Sequence, residues 1–366
     1  MNPIPCESLV SPLRRTCARV VPVALTASLL TITPLAPSGA APAESVPTQR
    51  DSISIDPADG TTEQLDTQDF RVAGVTWQGD RSDVEVQLRT RDAETGSWTD
   101  WSLLQPEEGP DAGTAEAATV RGGTQPLIAA PSDGIQVRID SEGATPSEVE
   151  VDLIDPGTSP ADSSAAPAEA PQTTGSASAT AARPTINSRA AWGADESIRR
   201  GDPSYGEVRG AVVHHTAGVN AYTQAEVPAI LRGIYEYHVK SRGWDDIGYN
   251  VLVDKWGRLW EGRHGGLDKA VVGAHAAGAN DDAVGISAMG NYDTANAPGS
   301  MTASIERYLA WKLDVHGVDA TGQATIGGQW HHTIIGHRSV GQTECPGQNI
   351  AAKLWDIRRG AKERQS

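Results

Sequence analysis

The stretch Trp330-His331-His332-Thr333-Ile334-Ile335-Gly336-His337-Arg338-Ser339-Val340-Gly341-Gln342-Thr343-Glu344-Cys345-Pro346-Gly347 decides how this chain is read. It places a histidine and the last of three cysteines on one Gly- and Pro-punctuated loop, with seven residues between them. Far upstream, Val212-Val213-His214-His215-Thr216 ends a short apolar run in a second source of imidazole. Two imidazoles and one thiolate make three ligands, and a catalytic zinc takes three protein ligands with its fourth position left for water. The residues alone leave the choice open among His214/His215, His331/His332 and His337, with His238, His264, His275 and His316 elsewhere. Neighbouring strand residues face opposite sides, so only one of His214 and His215 can face a shared site.

The chain has 366 residues, enough for two domains, and a formal net charge of −17. Such an acidic balance argues against nucleic acid or an anionic membrane as the main partner. Residues 1–43 read as an export signal. Arg14, Arg15 and Arg19 supply the positive region, Val20–Ala36 the apolar run, and Ser38–Ala43 the small residues of a cleavage site. Pro22 and Pro34 break the run too early for a membrane span, and the Arg14-Arg15 pair leaves general and twin-arginine export both open. The expected location is secreted or in the cell wall. Cys6 and Cys17 leave with the signal, so Cys345 stands alone in an oxidising compartment, where metal ligation would protect it.

Residues 44–69 read as a mobile leader rich in Thr, Ser and Asp. Over 70–156 the pattern has period two: Val84, Val86 and Leu88, then Ile135, Val137 and Ile139, then Val149, Val151 and Leu153. Turn residues separate these runs, which predicts a small, all-β, sandwich-like accessory domain. Trp77, Trp98 and Trp101 are its large aromatics, either core or a sugar-stacking face. Residues 157–183, mostly Ala, Ser, Thr and Pro, read as a disordered linker with a reach of roughly 30 Å. In residues 184–366, Gly210–His215 predicts a buried strand. Thr223-Gln224-Ala225-Glu226 is a capping box opening a helix that Gly243 ends, with Pro228 late for its first turn. A hairpin across Lys255-Trp256-Gly257, a strand over Ala283–Ala288, and helices over Thr302–His316 and Asn349–Arg359 complete an α/β layer fold: a central mixed sheet flanked by helices.

At this point the motifs carry a family resemblance. Ser188-Arg189-Ala190-Ala191-Trp192-Gly193-Ala194, Val213-His214-His215-Thr216, Asp246-Ile247-Gly248-Tyr249-Asn250, Trp260-Glu261-Gly262-Arg263, Gly273-Ala274-His275, Val284-Gly285-Ile286-Ser287 and Gly336-His337-Arg338 through Thr343-Glu344-Cys345-Pro346-Gly347 resemble, in order, the peptidoglycan recognition protein / type-2 N-acetylmuramoyl-L-alanine amidase family. Residues 70–156 resemble, less specifically, an accessory domain of secreted actinobacterial amidases. The resemblance implies Zn2+ on His214, His337 and Cys345, and Tyr249 in the active site. The implied substrate is peptidoglycan, cut between the muramic-acid lactyl group and L-alanine, and the implied protein is a monomer. Thr343 stands where phage-type relatives carry a lysine, which makes it a second catalytic candidate. Ser287 stands where some bacterial relatives carry a glutamate, which leaves the general base open. His215, His275 and Arg338 are candidate substrate contacts. Their alternatives are packing behind the strand for His215, a structural role for His275, and pairing with an internal acid for Arg338. His331 and His332 read as a hydrogen-bonded pair.

Three rivals stand beside this reading. A recognition module would bind wall fragments without cutting them, but such relatives typically lose the cysteine or the tyrosine. A cysteine peptidase would want Cys345 at a helix N-terminus, which Pro346-Gly347 fits poorly. A copper site would want an axial methionine, and Met289 and Met301 lack the spacing. Chemistry is therefore expected within 184–366, with the β domain governing location or avidity.

Overall fold

A computed structural model describes residues 46–79, 83–141, 143–163 and 180–366, which fall in one compact unit. The predicted export signal, 1–43, lies outside the described residues. In the N-terminal half the alternating runs become strands: β1 (Gln49–Ser54), β2 (Leu65–Trp77), β3 (Val84–Asp92), β4 (Ser102–Leu104), β5 (Gly122–Gly123), β6 (Leu127–Ser141) and β7 (Glu150–Asp155). They join in one antiparallel sheet of order β1-β7-β2-β6-β3-β4, with β5 on β2, so the domain is all-β as expected. The alternation does the work: Val84, Val86 and Leu88 point into a core with Phe70, Trp77, Ile135, Val137 and Val151, while Glu85 faces water. Trp77 is core. Trp98 and Trp101 are half-buried under guanidinium groups, Arg138 lying 3.8 Å from the Trp101 ring centre and Arg89 5.2 Å from that of Trp98.

The C-terminal half contains β8 (Ile186–Asn187), β9 (Gly210–His215), α1 (Val227–Glu236), β10 (Val251–Val253), β11 (Leu259–Glu261), β12 (Ala283–Ala288), α2 (Gly299–Val315), a β13–β14 hairpin (Gln323–Ile326 and Gln329–His332), β15 (Ile334–Gly336), α3 (Gln348–Ala351) and α4 (Leu354–Gln365). The sheet runs β15-β9-β12-β10-β11-β8, parallel except at the β10–β11 hairpin. Both faces are covered, as a largely parallel sheet requires. Val251 and Val253 face Ile305, Leu309 and Ile357 of α2 and α4, while Leu252 between them faces Ile230, Leu231 and Ile234 of α1. The capping box forms in half: Glu226 accepts from the Thr223 amide at 2.6 Å. The helix then opens at Val227, so Pro228 falls within its first turn, where its missing N–H is harmless. Beyond Glu236 the chain winds into a π turn, Tyr237–Ser241, which carries His238 and ends before Gly243 at φ +80°.

Two expectations are corrected. The leader 44–69 is not free: β1 pairs along the whole of β7, and Ile53, Ile55 and Leu65 pack on the β core. Its polar residues are those of an exposed edge strand, with Ile53 alone half-buried against the core. The linker 157–183 is anchored at both ends. Asp162, in a short turn over Pro160–Ser163, pairs with Arg232 at 2.7 Å; Ala181 is buried in the C-terminal core, its amide held by Asp314 at 2.8 Å. Residues 164–179 lie outside the described set.

The two halves also share a core, which the tethered picture did not foresee. Phe70–Trp77 of β2 is buried on almost every residue because its second face meets α1. Val72, Ile128 and Ile154 join Ile230, Ile234 and Tyr237 in one apolar cluster. Gly74 leaves room for the Tyr237 ring, whose hydroxyl donates to the Thr124 carbonyl at 2.8 Å.

Candidate functional site

Strand register assembles the site. β9 and β15 are parallel neighbours with Val213 opposite Gly336, so His214 and His337, one step further on, emerge side by side with ring centres 4.5 Å apart. The loop after His337 returns Cys345 to the same point, 3.6 Å from His214 Nδ1. The His215 amide donates to Cys345 Sγ at 3.3 Å and the Thr343 hydroxyl accepts from the Cys345 amide at 3.1 Å. One ligand atom from each of His214, His337 and Cys345 lies within 4.8 Å of the others. His331 and His332 sit on the β13–β14 hairpin, outside this cluster.

The electrostatics suit a cation. Burial, with neighbouring imidazoles, holds His214 well below the usual histidine range, so it is neutral and its ring nitrogen free to coordinate. His337 Nδ1 is buried with no hydrogen-bond partner. Burial pushes the Cys345 thiol up, the reverse of an activated nucleophile, and a thiolate there needs a cation beside it. That weighs against the peptidase reading, and the donor set fits a metal held by two imidazoles and one sulfur.

The surrounding candidates separate. Tyr249 lies beside His214, ring centres 5.4 Å apart, with its hydroxyl kept protonated by burial. His275 Nδ1 is 3.1 Å from His214 Nε2, so it orients the ligand through that ring's second nitrogen rather than facing solvent. Burial holds it at about 3. A Cβ at Gly273 or Gly285 would collide with its ring, and Asn280 accepts from the His275 amide at 2.7 Å. His215 is packed on the other side of β9, accepts from the Tyr292 amide at 3.3 Å, and is pushed by burial to about 4. Arg338 is tied to its own loop, through the Glu344 carbonyl and Gln348 Oε1 at 3.2 Å. Thr343 braces Cys345. His215, Arg338 and Thr343 thus have partners beside the cluster: the Tyr292 amide, the Glu344–Gln348 loop and the Cys345 amide. Ser287 stands opposite His214 in the β9–β12 register.

Two residues absent from the sequence reading touch Tyr249 and His337, both from the β domain. Glu107 Oε1 accepts from the Tyr249 hydroxyl at 3.2 Å, and Glu108 Oε2 lies 3.0 Å from His337 Nε2. Their only sequence signal is Pro106-Glu107-Glu108-Gly109-Pro110, a stiff acidic turn in a domain without catalytic motifs.

A family model described as N-acetylmuramoyl-L-alanine amidase matches residues 204–348. A second, described as Rv3811 N-terminal galactose-binding domain-like, matches residues 27–181. Peptidoglycan-recognition protein SC2 of Drosophila simulans is 38% identical over 167 residues, 45% of this chain and 82% of that protein. Peptidoglycan recognition protein 1 of Bos taurus is 35% identical over 172 residues, 45% of this chain and 80% of that protein. Among solved structures, N-acetylmuramoyl-L-alanine amidase LysC from Clostridium intestinale URNW shows 25% identity over 48% of this chain and 96% of that one, at a TM-score of 0.37.

Proposed function

Because the chain belongs to the peptidoglycan recognition protein / type-2 N-acetylmuramoyl-L-alanine amidase family, we propose that it is a secreted zinc amidase. Its reaction is hydrolysis of the amide joining the N-acetylmuramic acid lactyl group to the L-alanine of a peptidoglycan stem peptide. The observation that carries this reading is the convergence of His214, His337 and Cys345 on one point with Tyr249 beside them. A module that only binds peptidoglycan has no use for a buried His/His/Cys cluster backed by His275.

His214, His337 and Cys345 are the residues that would hold the zinc. Zinc bound there supplies an acidic water, its pKa lowered to about 7, and polarises the scissile carbonyl. The protein's own groups do the rest. His275 and the His215 amide fix the first imidazole and the sulfur, which keeps the ligands aligned. Tyr249, protonated across the working pH range, offers an O–H to the oxyanion that develops as the amide is attacked, a donor worth on the order of 3 kcal/mol.

Mass spectrometry of muropeptides incubated with the purified protein, with and without chelator, tests the reading. The expected result is release of the free stem peptide, lost with chelator and regained with zinc, at one zinc per chain. Full activity of Cys345→Ala, or cleavage undiminished by complete removal of zinc, would overturn it.

A further inference from the structure

The cluster just described is shut. His214, Tyr249, His275, His337 and Cys345 are each no more than 4% exposed. A polymer cannot reach them as they stand, and what covers them is the chain between β4 and β5, from Gln105 to Arg121. Its first residues stay paired to the β domain, Pro106 bridging Thr124 and the Glu107 amide donating to the Gly123 carbonyl at 2.9 Å; from there the segment crosses the mouth of the cluster, with one short turn over Glu116–Thr119.

Its contacts run along the face of the C-terminal half in order. Glu107, its side chain 6% exposed, meets Tyr249, His238 at 3.3 Å and Arg242 at 3.1 Å. Glu108 meets His337 and accepts from the Ala277 amide at 2.9 Å. Gly109 lies on the Trp244 ring, and its carbonyl accepts from Asn280 at 2.9 Å. Asp111 accepts from the Gly278 amide at 2.6 Å. Glu116 takes Arg263 at 2.6 Å and the Asp245 amide at 2.9 Å. Between Asp111, Glu116 and Arg263 the cover is incomplete, leaving a cavity of about 220 Å³ that also reaches His264 and Gly273.

We propose that Gln105–Arg121 is an autoinhibitory strap: an acidic segment of the β domain that occupies the substrate groove of the amidase half and must leave before peptidoglycan can bind. The inference rests on the amidase reading for the identity of the groove. Three features favour a removable cover over a fixed part of the site. Tyr249 spends its hydroxyl on Glu107 and so cannot donate to a substrate while the strap is down. The strap is held over the groove by polar and charged contacts, whereas the halves below it share an apolar core, so it can lift without separating them. Residues 112–115 at its turn are exposed, with nothing within 4 Å of a Cβ built on Gly113.

The test uses the full-length, zinc-loaded chain and two ways of freeing the strap that leave the metal ligands, Tyr249, Glu107 and Glu108 unchanged. One is the double variant Asp111→Ala/Glu116→Ala. The other inserts a specific protease site between Gly113 and Thr114 and cuts it after the protein has folded, which removes misfolding as an explanation. The probe is a soluble muramyl tripeptide. Calorimetry should show both forms binding it about tenfold tighter or more than the uncut wild type, since a site open only part of the time binds in proportion to its open fraction. Turnover should rise in step, and hydrogen exchange over 105–121 should quicken when the peptide is added to wild type. Unchanged or weaker binding in both freed forms would overturn the proposal and make Glu107 and Glu108 working parts of the site. Tighter binding with no cleavage by any form would uphold the strap and sink the amidase reading.

Discussion

The His/His/Cys cluster and the strap above it touch at 3.0 Å, through His337 and Glu108, yet they are built on opposite principles. The cluster stands on the ends of parallel strands whose both faces are buried, so His214 and His337 move only if the sheet does. The strap crosses the groove with little regular structure, held by carboxylates on amides and guanidinium groups, contacts that water can replace at small net cost. A site proposed to hold a cation needs the first kind of support. A cover that must yield to substrate needs the second.

The largest break in this contrast comes from removing what the strap hangs on. Deleting residues 44–183 strips Val72, Ile128 and Ile154 from Ile230, Ile234 and Tyr237 and bares the outer face of α1. Losing three large apolar partners costs several kcal/mol, about as much as a domain's whole stability. The truncated chain is expected to be aggregated or molten by near-ultraviolet circular dichroism, and a sharp native spectrum would show the halves to be independent. Tyr249→Phe comes next: it should keep zinc and fold but lose roughly 10²-fold in turnover under saturating soluble muropeptide. An unchanged rate would make Tyr249 a packing residue. Gly285→Ala sharpens the cluster side alone, by driving a methyl into the His275 ring and loosening its hold on His214. Zinc affinity, read by competition with a chromogenic chelator, should fall about 10- to 100-fold.

The smallest effect is a pH dependence that belongs to the sheet body and not to the strap. Burial, helped by Lys312, holds His316 at about 4, below its ordinary 6.5. Between those values the unfolded chain carries the extra proton, so this group's contribution is full above pH 6.5 and is lost as pH falls toward 4. Urea midpoints should drop between pH 7 and pH 5, and less so in His316→Gln. Equal slopes for the two proteins would remove His316 as a cause.

Much of this molecule was legible in advance where local pattern and physical consequence coincide. Period-two runs such as Val84–Leu88 and Ile135–Ile139 marked strands because one face is wet. The capping box at Thr223–Glu226 and the stop at Gly243 bounded a helix, and the ordered motifs singled out His214, His337, Cys345 and Tyr249. What the tertiary structure decided lies where one residue's role depends on a partner far along the chain. Gln49–Ser54 is a strand because β7 offers an edge, and β2 is buried on both faces because α1 covers it. His215 and His275, both candidate substrate contacts, take their packing alternatives instead, because strand alternation turns His215 toward Tyr292 while Gly273 and Gly285 leave room for His275 against His214. Glu107 and Glu108 reach the cluster across 142 and 229 positions of sequence, to Tyr249 and His337. No spacing rule encodes that distance; only the shared core of the two halves brings the strap to the groove.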